Sequence, residues 1–249
     1  MSDDLTVHAV ALVTGANKGI GFHVARQLAQ AGSRVLLGSR DEGRGQAAVA
    51  RLTAEGCDVE LLIIDVTDDV SIRAAVEQVH EQHGYLDILI NNAGIASGLD
   101  STSHVTRSDL HRTFETNVFG VAAVTNSFLP LLRNSKRSRI VNVSSELGST
   151  RIVSDPTGQY SALNNAAYQA SKSALGMLTI LYSKELAPDG IAVDAVGPGY
   201  RSTELNGGLP TPGAGDPADG ATIVVATALE SDPAKTGRFL NHRGEIVPW

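Results

Sequence analysis

An apolar run from Val7 to Val13 stops at Thr14-Gly15-Ala16-Asn17-Lys18-Gly19-Ile20-Gly21, and beyond it Phe22, Val24, Ala25, Leu28 and Ala29 recur at helical spacing until Gly32. The pattern is strand, glycine turn, helix. Glycines at 15, 19 and 21 allow a tight turn and let backbone N–H groups approach a pyrophosphate, which would sit at the positive end of the following helix. The spacing is Gly-x-x-x-Gly-x-Gly and departs from the Gly-x-Gly-x-x-Gly of the common dinucleotide fingerprint. A glycine-rich turn without a ligand is the alternative reading.

The unit repeats. Strands are expected at Arg34 to Gly38, along the apolar run from Val59 to Ile64 (read as a buried parallel strand), at Leu86 to Ile90, Arg139 to Val143, Ile191 to Val196 and Gly237 to Leu240. Asp65-Val66-Thr67-Asp68 offers a cap to the helix carrying Ile72, Ala75, Val76 and Val79. Leu110 to Leu132 reads as one long helix bent near Pro130, residues 146 to 164 as loop, and 221 to 229 as a helix. Strands alternating with helices imply right-handed crossovers and a parallel sheet, with ligands at the carboxyl ends of the strands. The expectation is a single α/β domain over residues 1–249 with a Rossmann fold. Its sheet would be doubly wound and parallel, of about seven strands, with helices on both faces. A cofactor half covers about 1–140 and a catalytic and substrate half about 140–249.

Composition fits such a domain: 42% of the 249 residues are hydrophobic and 19% charged, enough to bury a core. A net charge of -7 argues against nucleic acid or an anionic membrane as partner. One cysteine, Cys57, excludes an intramolecular disulfide, the start Met1-Ser2-Asp3-Asp4 lacks a signal-peptide pattern, and no run approaches a membrane span. A cytoplasmic protein is expected. The seven histidines show no metal-ligand spacing, so no metal is expected.

Chemistry concentrates at the expected strand ends. Tyr168 and Lys172 stand four residues apart, on one face if the run is helical, and a cation beside a phenol favours phenolate and lowers its pKa. The same spacing also occurs on solvated helix faces. Asn117 inside a helix needs exposure or a purpose, and a hydrogen bond to a neighbouring strand competes with a catalytic role. Ser144 and Ser145 follow the fifth strand, where serines commonly serve as caps. Arg40 follows the second strand, where an acid would bind a ribose 2′-hydroxyl and an arginine a 2′-phosphate. With Lys18 it favours NADP(H) over NAD(H). The segment after Gly197-Pro198-Gly199 is too long for an idle connection and reads as a lid or binding loop.

Thr14 to Gly21, Asn91-Asn92-Ala93-Gly94, Asn117, Ser145, Tyr168-Gln169-Ala170-Ser171-Lys172 and Pro198-Gly199 occur in the order and setting of the short-chain dehydrogenase/reductases, a family that the whole chain resembles. The Asn17-Lys18 pair, Ser39-Arg40, and the Gly-Arg-Phe-Leu before the end at Trp249 are similar to its NADPH-dependent carbonyl-reductase branch. The resemblance implies that Tyr168 is the proton donor and acceptor, and that Lys172 lowers its pKa and holds the nicotinamide ribose. Ser145, the second of the pair, would bind the substrate oxygen and Asn117 a relay water. Gly15, Asn17, Lys18, Gly19, Ile20, Gly21 and Arg40 would meet the adenosine phosphates, Asp65 and Val66 the adenine, Asn92, Ala93 and Gly94 the riboses, and Pro198, Gly199 and Thr203 the nicotinamide end.

The implied function is hydride transfer from NADPH to the carbonyl of a small ketone or aldehyde, or the reverse oxidation of a secondary alcohol. The alternatives are an NAD-dependent alcohol dehydrogenase and a non-catalytic NADP(H)-binding redox sensor. A longer interval from Ser145 to Tyr168 than in the shortest members, Gly197 in place of asparagine, and an end without Val-Asp-Gly-Gly leave the assembly open between homodimer and homotetramer.

Overall fold

The computed structural model describes residues 9–97, 102–203, 205 and 213–249. Seven strands form one sheet: β1 Val10–Val13, β2 Arg34–Ser39, β3 Val59–Ile63, β4 Ile88–Asn91, β5 Arg139–Val143, β6 Ala192–Val196 and β7 Phe239–Leu240. The spatial order is β3-β2-β1-β4-β5-β6-β7. Every neighbouring pair is parallel. The chain winds outward from β1 to β3, then returns to the other side of β1 at β4. The crevice between the ends of β1 and β4 is therefore the topological switch point, where such sheets bind ligands.

Helices α1 Gly19–Gln30, α2 Glu42–Ala54 and α8 Pro217–Ala228 contribute to the core on one face, where Phe22, Leu28, Leu52 and Val224 pack on Ala11 and Val13. The helices α3 Asp69–Gln82, α5 Gly120–Arg133 and α7 Ala166–Leu186 cover the other, where Ile72, Val79, Phe128 and Leu186 pack on Val10 and Leu12. Alternate β1 residues thus feed opposite layers, as the pleat dictates. Asp68 caps α3 by accepting from the Val70 N–H at 2.9 Å.

Several expectations need correction. Val7 and His8 lie outside the described residues. β3 forms an edge of the sheet and is not a buried strand: it contains Glu60, and Ile63 is 41% exposed. The long helix is α4 Arg107–Phe114, a π-helical turn over Glu115–Phe119, and α5, so its irregularity falls at Asn117 while Pro130 sits inside α5. The 146–164 segment carries a 3-10 turn, Glu146–Gly148, and a short helix, α6 Thr150–Val153. α8 begins at Pro217, capped by Asp216, earlier than the apolar periodicity shows.

Beneath the strand ends a buried polar chain joins four elements. Asn91 of β4 donates to Asn142 of β5 at 2.9 Å and to Thr125 of α5 at 3.1 Å, and Asn142 donates to Thr179 of α7 at 2.9 Å. All four residues are buried. Such a network specifies one arrangement of α5 and α7 on the sheet, because each broken link leaves a buried group unsatisfied. Replacing Asn142 with leucine should lower unfolding stability by about 1–3 kcal/mol, read as a fall in the urea midpoint at unchanged slope.

Candidate active site

The glycine turn is built by its backbone. Gly15 and Gly19 have φ of +61° and +56°, in the left-handed region that favours glycine. A Cβ on Gly21 would lie 2.4 Å from the Asn92 amide nitrogen and 2.7 Å from the Gly15 carbonyl. The turn is tied to β4 by one hydroxyl: Thr14 Oγ1 accepts from the N–H groups of Asn92 and Ala93, both at 3.0 Å, and donates to the Ile90 carbonyl at 3.3 Å. Asn92 Nδ2 completes the clamp by donating to the carbonyls of Thr14 and Gly15 at 2.8 and 3.2 Å. Asn92 therefore holds the turn. The first residues of α1 carry no side-chain cap, so their N–H groups are offered by the backbone alone.

On the other side of the turn is a cleft of about 220 Å³ lined by Asn17, Lys18, Arg44, Ala47, Ala48 and Arg51. Three of these are cationic. Arg51 also lies 4.5 Å above the Phe22 ring, and Arg44 is 3.7 Å from Asp41, the residue that caps α2. Arg40 stands exposed at the end of β2 and is not among the lining residues. Arg44 and Arg51 were missed in the sequence because neither belongs to a motif; their helical spacing from the Asp41 cap is the one signal that could have found them. Ile20 packs against the core under the turn. Asp65 accepts from the Thr67 N–H and hydroxyl at 2.9 and 2.8 Å, and with half-buried Val66 closes the end of β3.

The second half of the site gathers on α7, which starts where Asn165 accepts from the Tyr168 N–H. Tyr168 is half-buried, while Lys172 is 5% exposed, its Nζ 5.6 Å from the phenol ring centroid and donating to the Val143 carbonyl at 2.8 Å. Ser145 is half-exposed beside them and accepts from the Leu147 N–H at 3.2 Å, whereas Ser144 is buried. Burial pushes the Tyr168 phenol up to about 12, with hydrogen bonding from Ser145 acting the other way. Burial also pulls the Lys172 ammonium down to about 8. The expected lowering of the phenol by Lys172 is not what the structure gives: burial raises the phenol, and the group that lowers it is Ser145. Tyr168 is a protonated donor near neutrality.

Asn117 is fully buried, with both amide hydrogens committed. Its Oδ1 accepts from the Ile95 N–H at 2.9 Å, and its Nδ2 donates to the Ile95 carbonyl at 2.9 Å and to Ser171 at 3.0 Å. It ties the segment after β4 to α7, and the π turn gives it the reach to do so, a feature often found at functional sites. A Cβ on Gly94 would lie 3.4 Å from Asn117 Oδ1 and 3.8 Å from Lys172 Nζ, so the strand end, the π turn and α7 converge there. After β6, Gly199 has φ of +81°, Arg201 donates to the Pro198 carbonyl at 2.7 Å, and Thr203 reaches the glycine turn, 3.6 Å from where a Gly19 Cβ would be. Both motif groups therefore face one crevice at the switch point. Among the described residues no group of His, Cys, Asp or Glu is arranged to hold a metal ion.

Residues 9–212 match the short chain dehydrogenase family. The chain belongs to that family. This short-chain dehydrogenase is 39% identical to the short-chain dehydrogenase anuI of Penicillium roqueforti, with 95% of each chain covered. It is 33% identical to carbonyl reductase [NADPH] 1 of Sus scrofa, covering 96% of this chain and 94% of that protein. Its fold superposes on the NADPH-bound carbonyl reductase from chicken fatty liver with a TM-score of 0.86 at 29% identity, covering 98% and 99% of the two chains. The resemblance to the carbonyl-reductase branch holds at both levels.

Lys172 carries a testable cost. Its folded pKa of about 8 lies below the unfolded value of 10.5, so the unfolded chain binds the proton more tightly. Stability rises with pH between those two values, and at pH 7 the ammonium costs on the order of 3 kcal/mol. Replacing Lys172 with methionine should raise the urea midpoint at pH 7, and the gain should shrink as pH passes from 8 to 10.5.

Proposed function

We propose that this short-chain dehydrogenase is an NADPH-dependent carbonyl reductase, and that the observation carrying this reading is the convergence of Ser145, Tyr168 and Lys172 beside a glycine turn flanked by a cationic cleft. The residues fit a phosphorylated dinucleotide: the first turn of α1 carries no side-chain cap, and Lys18, Arg44 and Arg51 line a space suited to a phosphate group. Arg40, exposed at the mouth of β2, adds positive charge nearby. When bound, the reduced nicotinamide supplies the hydride.

The protein supplies orientation and the proton. Ser145 and Tyr168 donate to the substrate oxygen and stabilise the charge that develops on it. Tyr168, protonated at neutral pH, then gives up its proton. Lys172, while charged, favours the phenolate left behind and offers its N–H groups to the nicotinamide ribose. Asn117, with both amide hydrogens committed, braces Ile95 and Ser171, and the role of holding a relay water rests on its remaining carbonyl lone pair.

With the cofactor bound, Asp65 and Val66 would face the adenine, Asn92, Ala93 and Gly94 the riboses, and Pro198, Gly199 and Thr203 the nicotinamide end. Residues to about 140 thus form the cofactor half, and the remainder form the catalytic and substrate half, from which Lys172, Pro198, Gly199 and Thr203 also reach the nicotinamide end. The substrate is a small ketone or aldehyde met by loops that fall partly outside the described residues. Among the described residues no helix is long and apolar enough to cross a membrane. Exposed Phe119, Met177 and Leu181 supply apolar surface for a homodimer or homotetramer.

NADPH oxidation followed with a panel of ketones, aldehydes and quinones tests the assignment. Tyr168→Phe should bind NADPH and lose turnover by about a hundredfold or more; wild-type turnover in that variant would sink it. Tight NADPH binding with silence across the panel would favour the redox sensor instead. Arg44→Ala and Arg51→Ala should each weaken NADPH by about tenfold or more while changing NADH little, and Arg40→Ala should act in the same direction. An equal effect on both cofactors would remove the 2′-phosphate argument. Reduction should slow as pH rises through about 8, where Lys172 loses its charge.

A further inference from the structure

After β7 the chain turns at Asn241 to Gly244 and runs back along the strand. Ile246 bridges Leu240 in antiparallel fashion, and the Val247 N–H donates to the Phe239 carbonyl at 2.7 Å. This return places Trp249 on Phe239, the rings stacked at 5.2 Å with 28° between their planes. The other neighbour of the ring is α7. A Cβ on Gly176 would lie 3.0 Å from two ring carbons, so glycine at that position makes room for the indole. Gly176 lies one helical turn beyond Lys172.

The backbone of the same segment meets the stretch that follows Ser145. The Trp249 carbonyl accepts from the Arg151 N–H and the Thr150 hydroxyl, each at 3.4 Å. The Pro248 carbonyl accepts from the hydroxyl of Ser149, which is itself buried and caps α6. That stretch also presses on α7: a Cβ on Gly148 would lie 2.7 Å from Lys172, and the Ser173 hydroxyl donates to the Gly148 carbonyl at 2.7 Å. Trp249 therefore touches both partners of the site, the Ser145 turn through α6 and the Lys172 helix through Gly176.

We propose that Trp249 is a positioning residue that holds the Ser145 turn against the face of α7 carrying Tyr168 and Lys172. It acts through those residues, since its ring packs on Phe239 and Gly176. The inference rests on the reading of Ser145 and Tyr168 as the pair that binds the substrate oxygen.

The test combines an activity readout with one that does not need turnover. In Trp249→Ala, amide hydrogen exchange across residues 145–153 should accelerate while β1 and β4 keep their protection. Its kcat should fall by about ten- to a hundredfold, as expected for a small misplacement of a reacting group, with NADPH affinity nearly unchanged. Trp249→Phe, which keeps a ring on Phe239, should recover both. Unchanged exchange at 145–153, unchanged kcat, or a matching collapse of NADPH binding would overturn the proposal. If Trp249→Ala does not fold, Gly176→Ala displaces the ring with a single methyl and is held to the same outcomes. A wild-type protein silent toward every carbonyl compound would defeat the reductase reading, and the exchange result would still decide the role of Trp249.

Discussion

One hydroxyl group holds the crevice together. Thr14 Oγ1 takes two backbone N–H groups from the end of β4 and gives its proton to the carbonyl of Ile90, while the neighbouring Asn92 returns two hydrogen bonds to the turn after β1. The strands that diverge at the switch point are thereby locked at their carboxyl ends. The lock adds to the backbone pairing of β1 with β4 and fixes the glycine turn against the segment that follows β4. From there Asn117 carries the connection to the Tyr168 helix.

Around that frame the site departs from what stability alone would favour. A buried ammonium, a buried asparagine in a widened helical turn and a phenol driven up by burial are each unfavourable or neutral for folding. They persist because the surrounding structure over-determines them. The Thr125–Asn91–Asn142–Thr179 chain lies beneath and links α5, β4, β5 and α7. Polar groups in this protein are thus layered: a hydrogen-bonded chain below that specifies the packing, and a desolvated set above that faces the crevice.

Much of this was legible in the sequence, for reasons that differ by element. Arg139 to Val143 was read with its observed bounds because an apolar run between polar flanks has one interpretation in a βα repeat. The glycine turn was legible because positive φ leaves few alternatives to glycine. Other features were hidden by the physics that makes them. The π turn has no composition of its own, so Asn117 looked like an anomaly in a long helix. β3 was read as buried from its apolar residues, although its place in the order, which no local pattern encodes, puts it at an edge. Arg44 and Arg51 belong to no motif, and only the packing of α2 beside the turn brings them to the same cleft as Lys18. The direction of the phenol shift depended on burial, which no spacing encodes.

The π turn has a consequence for how the length of this chain can vary. A helix advances about 100° per residue, so removing one residue between Glu115 and Phe119 would restore regular α geometry and rotate everything on one side of it relative to the other. Asn117 would then miss Ile95 and Ser171, or Val124 and Phe128 of α5 would leave the core that they fill. No compensating substitution at a single position restores both faces. The extra residue in this turn is therefore a phase setting between two buried surfaces, and insertions or deletions that other parts of the surface accept are excluded here by geometry.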